Sequence, residues 1–265
     1  MKKVAIVIPI FRMITRDEQV SLNHLNKFLR SYDLYLVIPE SLDTKIFKKI
    51  RSKKIIRFAS ENFTSVRTYS ALLITRDFYR PFVNYKYIFI YQLDALVFSD
   101  QLNFWCDKGY DYIGAPFFNP IIGGLSYKLG NPISGGNGGF SLRKVSSFIK
   151  VIDYAEKLAT QGSSNPFIRK LWFIMAVLNS RSHKIWLNAP PKDYPFNEDG
   201  FWSYEAVKYY PKFQIAPFKE ALKFSFERFP RKCFELNNNQ LPFGCHAWAK
   251  YDRNFWNQFA IVKHA

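Results

Sequence analysis

The chain has 265 residues, 48% of them hydrophobic, enough for one large α/β core and incompatible with a disordered chain. Lysine and arginine number 38 against 21 acidic residues, and the formal charge of +17 favours anionic partners: nucleic acid, an anionic membrane surface or phosphorylated substrates. No apolar stretch approaches the roughly 20 residues that span a bilayer, and Cys106, Cys233 and Cys245 form no C-x-x-C pair, which argues against a disulfide framework or a thiolate zinc site.

Lys2 and Lys3 precede an apolar run, Val4 to Ile10, that superficially resembles a signal peptide. Pro9 interrupts the run, Phe11 and Arg12 close it, and no small-residue cleavage site follows, so Val4–Ile8 reads as a buried first strand. Arg16–Leu29 carries Val20, Leu22, Leu25, Phe28 and Leu29 at helical spacing. Leu34–Ile38 is a second strand, ended by Pro39. The basic cluster Lys45, Lys48, Lys49, Arg51, Lys53, Lys54 and Arg57 brackets Ile50, Ile55 and Ile56, as an exposed helix leading into a strand would. Lys54–Phe58 is a third strand, Val66–Tyr79 a helix and Tyr87–Leu93 a fourth strand. This alternation predicts a mostly parallel α/β sheet with helices on both faces.

Beyond Phe98 the rhythm changes. Proline and glycine accumulate between Gly109 and Gly139, which predicts loops and short strands. Helices are expected over Val145–Leu158 and Pro166–Asn179. The tail from Pro190 mixes aromatics, proline and charge without clear period, although Phe201–Tyr209 suits a helix. No repeat or linker divides the chain. A single domain over 1–265 is expected, with 1–100 binding nucleotide and 101–265 shaping an acceptor site.

Four segments carry chemistry-bearing residues. The strand Tyr87 to Leu93 runs into Asp94, and ligands bind at the carboxyl edge of such sheets; capping of the next turn is the alternative. Gly135-Gly136-Asn137-Gly138-Gly139 lets backbone approach a ligand closely or take positive φ, but lacks the ending of a phosphate loop. Asn197-Glu198-Asp199 beside Phe201 and Trp202 points to a positioned base in a stacking pocket, or to an acidic helix start. His246, in Gly244-Cys245-His246-Ala247-Trp248, is a ligand or a hydrogen-bonded structural residue.

Together with Tyr91-Gln92-Leu93-Asp94-Ala95 and Tyr110-Asp111-Tyr112-Ile113-Gly114-Ala115-Pro116, and with the glycine motif extending through Phe140-Ser141-Leu142-Arg143, these segments resemble a bacterial family of uncharacterised activity with a GT-A-type (Rossmann-like) glycosyltransferase fold. Their order is also similar to that of the inverting beta-galactosyltransferases. The resemblance implies transfer of a sugar from a nucleotide-sugar donor to a glycan or lipid-linked acceptor in surface polysaccharide or lipopolysaccharide synthesis. It implies Asp199 as base, Glu198 holding the acceptor hydroxyls, and Asp94 and His246 as metal ligands. Gly138 and Gly139 would line the meeting place of donor and acceptor, with Asn137 and Trp202 on the acceptor side. Pro9, Phe11, Ser65, Arg67, Tyr69 and Gln92 would hold the donor; Phe63 belongs to the same stretch.

One departure bears on the cofactor. Where the pattern has Asp-x-Asp this chain has Gln92-Leu93-Asp94, so use of a divalent cation, Mn2+ or Mg2+, is left open. Without it Arg67, Arg143 or another basic residue would bear the diphosphate charge. The basic residues are dispersed and form no nucleic-acid-binding motif, so nucleic acid is not expected as partner. The expected location is cytoplasmic, peripheral to the inner face of an anionic membrane.

Overall fold

The computed structural model describes residues 1–47, 50–118, 132–133, 136–161 and 190–261. The first strand, β1 (Lys2–Pro9), leads to helix α1 (Arg16–Phe28). Thr15 starts that helix with a reciprocal cap: its hydroxyl accepts from the Glu18 amide at 3.3 Å, and the Glu18 carboxylate accepts from the Thr15 amide at 2.7 Å. The strands β2 (Asp33–Pro39) and β3 (Lys54–Phe58) follow. Between them, the described part of the expected basic helix holds one 3-10 turn, Thr44–Phe47, and Lys48 and Lys49 lie outside the described residues.

The expected helix over Val66–Tyr79 is two helices, α2 (Val66–Leu72) and α3 (Arg76–Tyr79). Thr75 is the cause of the break: it takes extended backbone and its hydroxyl accepts from the Phe78 amide at 3.4 Å, beginning a new helix. Strand β4 (Tyr85–Tyr91) starts and stops two residues earlier than the apolar run suggests. Then come β5 (Leu96–Val97), α4 (Leu102–Asp107) and the short strands β6 (Tyr112–Ile113), β7 (Phe117–Phe118) and β8 (Pro132–Ile133). Strand β9 (Phe140–Lys144) passes directly into α5 (Val145–Gln161), which covers the helix expected there. The helix expected over Pro166–Asn179 lies outside the described residues. In the tail, Glu198–Gly200 opens a helical run that is π-helical over Phe201–Glu205 and α-helical again over Ala206–Tyr209.

The main sheet has the order β3-β2-β1-β4-β9-β6. Strands β3, β2, β1 and β4 are parallel, and β9 runs antiparallel between β4 and β6. This is the mostly parallel α/β sheet that the sequence predicts, and helices cover both faces. Ala5, Val7, Val37, Ile88 and Ile90 pack with Phe78 and Tyr79 of α3 and with Phe148, Val151 and Ile152 of α5. Ile6, Ile8, Leu36, Ile38 and Phe89 pack on the other side with Leu22 and Leu25 of α1 and Trp105 of α4. Residues from both expected halves of the chain share these cores. The three cysteines are free and buried.

A second sheet matters more for the site. Strand β11 (Gly244–Cys245) lies between β10 (Ser225–Phe226), to which it is parallel, and β5, to which it is antiparallel. Among the described residues, no helix is long and apolar enough to cross a membrane.

Candidate active site

A cleft of about 630 Å³ opens at the carboxyl end of β4. Its wall includes six distant stretches: Tyr69 and Ser70 of α2, Gln92 after β4, Asn137 to Gly139 before β9, Asn197 to Gly200, Glu227 and Arg228, and His246 with Lys250 and Tyr251.

The small sheet explains one side of it. The register Phe226↔Cys245 sets the next residue of each strand, Glu227 and His246, side by side. The antiparallel register Cys245↔Leu96 brings the turn before β5, with Asp94, to the same end. Accordingly His246 Nδ1 lies 3.3 Å from Glu227 Oε1, while Nε2 lies 3.1 Å from Gln92 Oε1 and 3.2 Å from Asp94 Oδ1. The contact with Asp94 is an ion pair rather than an aligned hydrogen bond, and this buried oxygen has no hydrogen-bond partner. Burial alone would strip the imidazole of its charge, but Asp94 and then Glu227 raise its pKa to about 10. Ala247, next in the chain, adopts left-handed backbone at φ 51°, and the following Trp248 amide donates to Asp94 O at 3.1 Å. A strained residue thus ties the His246 segment to the Asp94 turn.

On the other side stands Asp199. Its Oδ1 accepts from the Gly200 amide at 2.8 Å, and Oδ2 receives the Asn137 amide at 3.5 Å. Asn137 Nδ2 also donates to Glu227 Oε1 at 3.1 Å, bridging the two carboxylates, while its Oδ1 accepts from the Gly139 amide at 2.8 Å. Burial, followed by the charges of Glu198 and Glu227, pushes the Asp199 carboxyl up to about 7. A carboxylate so placed can take a proton from a hydroxyl near neutral pH.

The glycine segment joins the sides by close approach, not by positive φ: among the described glycines only Gly109 has a positive angle, 82°. A methyl on Gly139 would overlap the His246 ring. Gly139→Ala is therefore expected to displace His246 and destabilise the fold by about 1–3 kcal/mol, the usual cost of overpacking, measured by chemical unfolding.

The structure brings Tyr69, Gln92, Asn137, Gly138, Gly139, Glu198, Asp199 and His246 into one cleft, with Asp94 behind His246. Pro9 at the end of β1, exposed Phe11, and Ser65 and Arg67 at the start of α2 do not line it. Trp202, expected against the acceptor, is instead fully buried, its ring 4.0 Å from that of Phe148. The helical run turns it into the core beside α5. Glu198 was expected to hold acceptor hydroxyls, but its oxygens serve Arg143 at 2.8 Å and Ser70 at 3.3 Å. Arg143 in turn is wholly enclosed and cannot meet a diphosphate; the cations at the cleft are Arg228 and Lys250, which the sequence reading missed along with Glu227. A carboxylate directly after Phe226 was the available signal, but β10 is too short to show a strand pattern.

Among the described residues, no group of three or more His, Cys, Asp or Glu side chains is arranged to hold a metal ion. A family model described as protein of unknown function (DUF5672) matches residues 52–246. The chain belongs to that family. The matched stretch contains every cleft residue from Tyr69 to His246, whereas Lys250 and Tyr251 follow it. No curated protein matches the chain. Among solved structures, it is similar to the apo form of the glycosyltransferase GlyE of Streptococcus pneumoniae TIGR4, with TM-score 0.48 and 12% identity, covering 99% of this chain and 61% of that one. A second GlyE structure gives TM-score 0.47 at the same identity and coverage. The apo form of mouse xyloside xylosyltransferase 1 gives TM-score 0.49 and 9% identity, covering 92% of this chain and 97% of that one. The chain thus spans 61% of the length of the GlyE chains.

Proposed function

We propose that the chain is an inverting glycosyltransferase of GT-A type that moves a sugar from a nucleotide-sugar donor to a hydroxyl of a glycan or lipid-linked acceptor. The observation that carries this reading is Asp199, a buried carboxyl raised to about 7 in a cleft that Arg228, His246 and Lys250 also line. In the reaction the acceptor oxygen attacks the anomeric carbon and the bond from that carbon to the diphosphate breaks. The diphosphate leaves with the electron pair, and the acceptor proton passes to Asp199. The transition state has oxocarbenium character. Negative charge grows on the leaving group, where Arg228, Lys250 and the imidazolium of His246 oppose it. Attack from the Asp199 side, opposite the leaving group, inverts the anomeric centre.

A divalent cation, Mn2+ or Mg2+, fits beside His246. The buried Asp94 Oδ1 lacks a hydrogen bond, and it, Gln92 Oε1 and the imidazole are donors such cations accept. Asp94, Gln92 and a His246 that has given up its proton would hold it with oxygens from the donor diphosphate, and its charge would then stand in for that of the imidazolium at the leaving group. The charge of +17 supports acceptors carried on an anionic membrane surface and work at its inner face.

The test is nucleotide release from a panel of UDP-, GDP-, CMP- and TDP-sugars, with and without Mn2+ and sugar acceptors. Release from at least one donor is expected; none from any donor removes the proposal. Because Asp199 acts as the carboxylate, kcat/KM should fall about tenfold per pH unit below pH 7 and level off above it, as a pH–rate profile would record. A second reading, a domain that binds nucleotide or sugar without turnover, draws on the amide of Gln92 in place of a carboxylate. Calorimetric binding of nucleotide in a protein that turns over no donor would favour it.

A further inference from the structure

Arg143 has no exposed surface, yet every side of its guanidinium is used. One terminal nitrogen donates to Glu198 Oε1 at 2.8 Å and to Gly138 O at 3.2 Å; the other donates to Tyr79 OH at 3.1 Å, and Nε donates to Ser141 Oγ at 3.0 Å. The rings of Tyr112 and Phe148 flank it at 5.7 and 5.8 Å. Glu198 completes the cluster by accepting from Ser70 at 3.3 Å. A methyl on Gly138 would overlap the Glu198 carboxylate, so the glycine segment is pressed against this pair.

Buried ion pairs are a poor source of stability, because apolar side chains of similar volume serve as well or better. What apolar groups cannot do is fix separate segments by directed bonds. Here one guanidinium ties the end of α3, the glycine segment and the start of the Asp199 helix at set distances. Planar fork geometry makes arginine, not lysine, suited to this.

We propose that the buried Arg143–Glu198 pair is a positioning device for the cleft: it holds Glu198 inward in the floor and so leaves its neighbour Asp199 as the one carboxylate of the two turned to substrate. This rests on the transferase reading only for what Asp199 does there. Glu198 is thereby a positioning residue rather than a group that binds acceptor. Its charge also supports the proton affinity of Asp199, since it stands next after burial among the causes that raise that carboxyl.

The double variant R143M/E198L replaces the pair by apolar side chains of similar size and should fold. Carboxyl carbon NMR of the full-length protein, with Asp199 assigned by its loss in D199N, reads the titration without donor or acceptor. Asp199 is expected to titrate lower in the double variant than in the wild type, because the charge of Glu198, which raises it, outweighs that of Arg143, which lowers it. Turnover should fall at least about tenfold with donor KM unchanged, because the interaction concerns position at the transition state. A folded double variant with wild-type titration and wild-type kcat would overturn the proposal. If that variant does not fold, R143K decides: loss of kcat is expected because an ammonium that meets Glu198 and Gly138 cannot also reach Tyr79 and Ser141, and wild-type titration and kcat overturn the idea. A shifted titration in a protein that turns over no nucleotide sugar keeps the role of the pair and removes the transferase reading instead.

Discussion

Asp199→Asn is expected to lower turnover at least about 100-fold, the usual contribution of a general base, and at the same time to raise the melting temperature. The two effects have one origin. Burial and the charges of Glu198 and Glu227 raise the native carboxyl to about 7, so ionising it in the folded protein is unfavourable. The sign of linkage follows: this group favours folding fully only below the ordinary carboxylate range, and the contribution is lost as pH climbs through about 7. An amide carries no charge to desolvate and keeps an acceptor for the Gly200 amide. At pH 8 the gain should be on the order of 2–4 kcal/mol, and it should shrink toward pH 4. Calorimetry of both proteins across that range, beside turnover, is the check. A variant less stable than wild type at pH 8, or one with near-wild-type kcat, would remove Asp199 as a strained base.

Arg143→Met alone should be the most destabilising single change in the cleft floor. It leaves Glu198 buried and uncompensated, a loss of about 3–5 kcal/mol. At about 2–3 °C per kcal/mol for a chain of this size, the melting temperature should fall by about 6–15 °C. The exposed pair Arg253–Asp17 makes a useful control, since water already solvates both partners and its removal should change little. Equal effects of the two substitutions would show that the buried pair has no special place in the fold.

How much of this could be read from the chain depends on the length of each pattern. Val4–Ile8 and Leu34–Ile38 are apolar runs each closed by a proline, Lys54–Phe58 places Ile55 and Ile56 between charges, and each is a strand of the main sheet. The Asp94, glycine, Asp199 and His246 segments do meet in one place. Thr75, a cap hidden inside an apparent helix, shows why composition alone overstates helix length. Trp202 beside an acidic pair reads as a stacking residue, but adjacency in sequence says nothing about which face of a helix a side chain takes. Arg143 could have been found: a cation in an apolar strand covered on both sides needs a buried partner, and Glu198 was the candidate at hand. Glu227 was beyond reach, because only the pairing of two-residue strands places it beside His246.

The π-helical stretch Phe201–Glu205 begins immediately after the turn that carries Glu198 and Asp199. Wider winding there lets Trp202 and Phe201 seat among Phe148, Tyr209 and Phe213 while the acidic residues one turn earlier keep their own heading. Phe201 and Trp202 can therefore be exchanged for others of similar bulk, whereas Ser203, which accepts from the Gly136 amide, and the number of residues cannot change. Deleting one would restore ordinary winding and take the remaining aromatic side chains out of their seats against Phe148, Tyr209 and Phe213. The seating of these aromatic side chains is thus encoded in a count of residues as well as in their bulk.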